Sequence, residues 1–203
     1  NIIVGWSILD AEHKGEKPRR FVKPLIYLSI PWAASIHTVT AFIYAGLAAK
    51  PFWLTAVMAP RFLATAFAAG PALLIIICLI LRKYTDFDPG KIAIRKLSTI
   101  VTYAAIAGFF FLMCEFFTAF YSGGAEHTAT WKYLLFGEGG SGLQPYMWGV
   151  LISTVIAIVL LVNTKTRYRD DALVIACVLL FVSIWIDKGL CVVITGCISN
   201  ALY

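Results

Sequence analysis

Charge is scarce in this chain: Asp, Glu, Lys and Arg make up 14% of the 203 residues, against 60% hydrophobic. A water-soluble domain of that length could not hide so much apolar surface, so a soluble globule is excluded. Histidine is rarer still, at His13, His37 and His127, and only His37 lies well inside an apolar run. Bis-histidine haem ligation within a membrane therefore cannot be assembled from this chain alone. The five cysteines, Cys78, Cys114, Cys177, Cys191 and Cys197, show no Cys-x-x-Cys spacing and sit in or at the ends of apolar runs. Neither zinc nor iron–sulfur ligation is expected of them, and apolar packing is the default. Phosphate-cradling glycine loops, nucleophile elbows and zinc-protease motifs are all missing. No basic n-region followed by a cleavage site occurs, so a signal peptide is not expected.

What is present is a series of long apolar runs, with a mean hydropathy of +0.82. Five of them, over 22–49, 57–81, 97–121, 146–162 and 172–197, approach the roughly 20 residues needed to cross about 30 Å of hydrocarbon. The expected fold is all-α, a polytopic transmembrane helix bundle forming one domain over 1–203. Residues 1–9 are too apolar for a free tail and too short to cross, so they read as the end of a preceding helix in a longer chain. Lys and Arg alternate along the connections: five before the first span, then two, five, one and three. By the positive-inside tendency the N-terminal segment, the Arg82–Lys96 loop and the Lys165–Arg169 loop face the cytoplasm. The net charge of +6 is then a topology signal, with the bilayer as partner and no nucleic acid implied. The outward connection 122–145 carries Gly123-Gly124 and a glycine-rich run at 137–142. It is expected to be a long outer loop, either a docking or lid segment or a plain linker. Trp32, Trp53, Trp131 and Trp148 fall mostly near predicted span ends, as in an interfacial aromatic belt.

Against this background four ionisable side chains stand out: His37, Arg61, Glu115 and Asp187. A charge at the bilayer centre costs at least about 2.5–3.5 kcal/mol, so such groups are paired, face a cavity or handle charge. All four lie at or outside the predicted midplane, which points to a polar site opening toward the outer face. Each also has a plain structural reading. His37 could bond a neighbouring carbonyl, and Arg61, just after Pro60, could snorkel to headgroups. Asp187 and Lys188 point about 100° apart on a helix, so they are poor partners for each other and one of them is expected to pair across to another helix.

The run Pro31-Trp32-Ala33-Ala34-Ser35-Ile36-His37-Thr38-Val39-Thr40-Ala41-Phe42, followed by Lys50-Pro51-Phe52-Trp53 and Ala59-Pro60-Arg61-Phe62-Leu63-Ala64, resembles the NrfD or polysulfide-reductase membrane-subunit family. Glu115-Phe116-Phe117-Thr118-Ala119-Phe120-Tyr121 and Ser183-Ile184-Trp185-Ile186-Asp187-Lys188-Gly189 are similar to its DsrP or HmcC branch. The resemblance implies a piece of a subunit of eight to ten spans in the cytoplasmic membrane of a prokaryote, exchanging electrons with menaquinone or another quinone at the outer side. It also implies partners: a ferredoxin-like iron–sulfur subunit, a multihaem cytochrome c and other membrane subunits, in a respiratory complex linked to sulfur or sulfite metabolism. No haem or iron–sulfur cluster is expected in this chain itself.

On that basis His37, Arg61 and Trp53 are the expected quinone contacts, and His37, Glu115 and Asp187 the expected proton relay. A reference pKa of about 6.5 lets a histidine take and return a proton near neutrality. Arg61 could hold one of the carboxylates charged or orient a partner. Two rivals remain: a proton- or ion-translocating transporter module, which would be marked by inverted repeats with broken helices, and a subunit that only anchors redox partners.

Overall fold

The computed structural model describes residues 2–15, 20–47, 50–85, 88–137 and 142–197. Lys17, Arg19, Ala49, the run 138–141 and the tail after Cys197 lie outside the described residues. Among those that are described the chain is wholly helical. Five helices are long and apolar enough to cross a membrane: α2 (Val22–Ala45), α3 (Met58–Tyr84), α4 (Lys91–Tyr121), α6 (Gln144–Val162) and the segment Asp170–Gly196. This is a multi-pass membrane protein. The last span is composite, with α8 (Asp170–Ile186) running into a π-helical turn, Asp187–Val192, and then α9 (Val193–Cys197). Shorter helices are α1 (Ile2–His13), α5 (Ala125–Phe136) and α7 (Thr164–Arg167).

Helix α5 is a departure from the expected outer loop. It is only 12 residues long, too short to register as a span, yet Trp131, Leu134 and Leu135 are buried. They pack with Leu112, Ala119, Leu143 and Met147 into one apolar cluster that clamps α5 across the ends of α4 and α6. Gly137, at φ 71°, ends it in the left-handed conformation that glycine adopts at no steric cost.

The bundle is held by small residues on facing helices. Ala68, Ala72, Ala105, Ala157 and Ala176 are at most 3% exposed and belong to one core joining α3, α4, α6 and α8. Small side chains let backbones approach closely, which is how helices associate where lipid removes the hydrophobic incentive. Gly108 is a close point between α3 and α4, since a Cβ there would stand 3.2 Å from Thr65 Cγ2 on α3. Most hydroxyls satisfy themselves within their own helix, as Thr38 does on the Ala34 carbonyl at 2.9 Å and Thr102 on the Ser98 carbonyl at 2.7 Å. Helix α2 is different, because Val22 and Ala41 are its only buried residues. It leans on α3 along one edge and leaves a groove beside it.

Gly108→Leu, which forces a side chain into the α3–α4 contact, is expected to lower the melting temperature of the purified subunit, with a cost of about 1–3 kcal/mol or more. Gly149→Ala, where a new Cβ meets nothing within 4 Å, is expected to leave it unchanged or raise it. A differential melting scan of the two variants checks the assignment.

Candidate functional site

Arg61 occupies the first turn of α3 on the face that buries Met58, Phe62, Thr65 and Ala68, so helical spacing alone turns it inward. Glu115 shares the buried face of α4 with Leu112 and Ala119. Asp187 is the first residue of the π turn, a local widening of the helix that recurs at functional sites. These three side chains meet although they are 54 and 126 residues apart in the chain. Arg61 Nη1 donates to Glu115 Oε2. Its Nη2 lies 2.7 Å from each Asp187 oxygen. The planar fork of a guanidinium suits such a double engagement, which a lysine's single ammonium could not reproduce.

Burial decides between the two readings of Arg61. At 4% exposure, with both terminal nitrogens committed to carboxylates, it is an interior ion pair and does not snorkel. Asp187 and Lys188 part as their angular separation predicts. Asp187 turns to Arg61, while Lys188 Nζ lies 3.4 Å from the Phe62 carbonyl and 4.6 Å from the Phe62 ring centroid. With Lys188 the cluster holds two cations and two carboxylates, a formal balance of zero that makes it tolerable among apolar helices. One atom stays unsatisfied: Glu115 Oε1 is buried without a hydrogen-bond partner. Leaving such an acceptor unmade costs about 1–3 kcal/mol.

Three cavities meet the cluster. The largest, of about 540 Å³, lies among α2, α3 and the last span and is lined by His37, Thr40, Tyr44, Phe62, Trp185 and Lys188 among others. A second, of about 250 Å³, runs from Glu115 past Thr118 and Ser122 to His127 at the end of the bundle opposite the Arg82–Lys96 loop. The third, of about 30 Å³, lies on the other side of Arg61 and Asp187 and is bordered by Thr65, Thr154 and Ser183. There the Thr154 and Ser183 hydroxyls are 2.5 Å apart, and Ser183 donates to the Val150 carbonyl at 3.0 Å.

The four singled-out residues thus divide. Arg61, Glu115 and Asp187 form one cluster, and half-buried His37 faces the large groove that Lys188 also lines. Trp53 is placed elsewhere: it is 6% exposed, its indole N–H donates to the Val192 carbonyl at 3.0 Å, and its ring meets Tyr44 edge-on at 4.7 Å. It borders the groove through Tyr44, Phe62 and Val192, which line the wall. A Cβ on Gly196 would overlap its indole ring, so that glycine makes the seat for it. Thr65, Thr154 and Ser183 were not foreseen. Thr65 follows Arg61 by one turn and Ser183 precedes Asp187 by one turn, which is the signal that spacing offered. Among the described residues, no group of three or more His, Cys, Asp or Glu is placed to hold a metal ion.

Because breaking a buried ion pair strands the remaining charge at about 3–5 kcal/mol, Arg61→Ala is expected to abolish accumulation of folded protein in membranes, and Arg61→Lys to rescue it poorly. The quadruple change Arg61→Met, Glu115→Gln, Asp187→Asn, Lys188→Met, which strands no charge, is expected to restore accumulation. Size-exclusion profiles of detergent extracts distinguish these outcomes.

Comparison with known proteins agrees with this architecture. No curated protein gives a significant match to the sequence. The family match, to the family described as polysulphide reductase, NrfD, runs over residues 6–199 and so takes in all five spans, the Arg61 cluster and the His37 groove. With nearly its whole length matched, the chain belongs to the polysulphide reductase NrfD family.

Proposed function

We propose that this chain is the quinone-exchanging membrane subunit of a respiratory redox complex in a prokaryotic cytoplasmic membrane. The family supports a membrane subunit of a redox complex. The observation that carries the finer reading is the groove of about 540 Å³, mostly apolar, in which His37 and Lys188 supply polar contacts beside a buried carboxylate cluster. A lipophilic ring with two oxygens fits such a lining, and an origin among α2, α3 and the last span gives it a route from the bilayer.

A quinol releases two electrons and two protons as it becomes the quinone, and the site has to receive both. His37 would hydrogen-bond one ring oxygen and pass a proton at its imidazole. Lys188 Nζ, on the opposite wall, would donate to the other oxygen. Asp187 is the next residue to Lys188 and Arg61 links it to Glu115, whose unpartnered Oε1 can accept a proton and whose cavity leads to His127 at the outer end. Arg61 would hold the two carboxylates in register. Trp53 would position Tyr44 at the groove wall and make no contact with the quinone. Electrons would pass to a ferredoxin-like iron–sulfur subunit docked over the outer end, with a multihaem cytochrome c beyond it. The pieces Glu115–Tyr121 and Ser183–Gly189 favour the DsrP or HmcC branch and hence sulfur or sulfite metabolism, with menaquinone as the quinone.

A second reading, proton or ion translocation without redox chemistry, draws on the two cavities that reach the ion cluster, one at Arg61 and Asp187 and the other at Glu115. The two are separated by quinone-dependent electron transfer in the assembled complex. The redox reading expects His37→Ala and Lys188→Met to raise the KM for a water-soluble quinone about tenfold or more. It expects Glu115→Gln to lower kcat by roughly 10²–10⁴, the range for losing a positioned proton carrier, with the complex still assembled. Unchanged turnover in all three variants would overturn it, and proton flux through proteoliposomes lacking quinone would favour the second reading.

A further inference from the structure

At the opposite end of the bundle from the Arg61 cluster, α3, α4, α7 and the start of α8 enclose a pocket of about 140 Å³. Its lining carries four cations, Arg82, Lys91, Arg95 and Arg167, and one carboxylate, Asp170. Arg82 is bonded to Asp170, so among the described lining residues three positive charges are left without a paired acid. Two of them are fixed in place: the guanidinium carbons of Arg95 and Arg167 lie 4.8 Å and 5.3 Å from the ring centroid of Tyr168. Arg167 Nε is buried and has no hydrogen-bond partner. Each observation asks for the same complement, an oxyanion that accepts hydrogen bonds and offsets the charge.

Guanidinium pairs held on an aromatic face match the geometry of phosphate oxygens. The pocket volume is well above the roughly 10–15 Å³ that a single water needs, so it admits a group rather than only solvent. Its location also selects a ligand. Arg82 belongs to the last turn of α3 and Lys91 and Arg95 to the first turns of α4, the ends that the charge count assigns to the cytoplasmic surface. Phospholipid headgroups lie at that level, and basic pockets between membrane helices on that side take anionic ones.

We propose that this pocket is a phosphate site, filled by the headgroup of an anionic phospholipid in the cytoplasmic leaflet. Arg95 and Arg167 grip the phosphate oxygens with their forks, and the Tyr168 ring lies against both guanidiniums. Lys91 adds charge at the rim, and Arg82 is kept in place by Asp170. Such a lipid would tie α3 to α4 and α7 at the end remote from the quinone groove, and the proposal stands independently of the quinone reading.

The test uses the assembled complex, stripped of lipid in detergent and then given equal amounts of phosphatidylglycerol, cardiolipin and phosphatidylethanolamine. Retained lipid is counted by native mass spectrometry. The wild type is expected to keep anionic lipid at least tenfold over phosphatidylethanolamine, and the double variant Arg95→Gln, Arg167→Gln to lose that preference while retaining its size-exclusion profile and quinone turnover. If the double variant fails to assemble, Arg167→Lys serves instead: it keeps the charge, removes the fork and is expected to weaken retention severalfold. Thermal scans with glycerol phosphate distinguish the source of the phosphate. A rise in the wild type but not the variant, without lipid retention, supports the phosphate site with a soluble ligand and overturns the lipid. Equal retention of all three lipids by wild type and variant, with no response to glycerol phosphate, overturns the site altogether.

Discussion

The ion pair of Arg61 with Glu115 and Asp187 constrains everything around it, because one guanidinium fixes three helices at once. Two carboxylates facing each other among apolar side chains would repel strongly in a low dielectric. Placing the cation between them turns that repulsion into a cross-link from α3 to α4 and to the last span. The geometry has to be accurate, because in such surroundings the desolvation penalty is recovered only when hydrogen bonds are nearly complete. Both terminal nitrogens of Arg61 and both oxygens of Asp187 are engaged, and one oxygen of Glu115 is not. The vacancy is thus confined to one atom at the edge of a cavity, where a proton can arrive.

The surrounding structure reads as support for that arrangement. Gly108 and the alanines of α3 and α4 bring the two helices close enough for Arg61 to reach Glu115. The π turn presents Asp187 and Lys188 to different neighbours, one to the ion cluster and one to the groove. Trp53, seated against Gly196 and bonded to the Val192 carbonyl, ties the connection after α2 to the end of that turn and the residue Gly196 beyond it. The polar groups of groove and cluster therefore rest on helices, with the short α5 packed across the ends of α4 and α6.

Much of this was legible in the sequence. Five spans follow from apolar length alone, and the isolated charges at Arg61, Glu115 and Asp187 announce themselves because hydrocarbon penalises them. The pairing among them was foreseen as a role open to Arg61 and as a cross-helix partner for Asp187 or Lys188, but not which residues meet, since contacts across 54 and 126 residues leave no trace in local spacing. Helix α5 escaped because a 12-residue segment between glycines falls below any span criterion, and its anchor, Trp131, reads equally well as an interfacial aromatic. Trp53 is ambiguous for the same reason: a tryptophan near a span end looks like a belt or ligand contact, and here its ring packs against Tyr44 and its N–H bonds a carbonyl. The basic pocket was visible only as charge per loop, because its meaning depends on Arg95 and Arg167 converging on one tyrosine.

The most direct measurement of the central claim is a cryo-EM map of the assembled complex with a bound quinone analogue. The account predicts headgroup density between His37 and Lys188, with the Arg61 guanidinium still bridging Glu115 and Asp187 behind it and an iron–sulfur cluster of the partner over the outer end. Headgroup density outside that groove, or Arg61 released from either carboxylate, would contradict it.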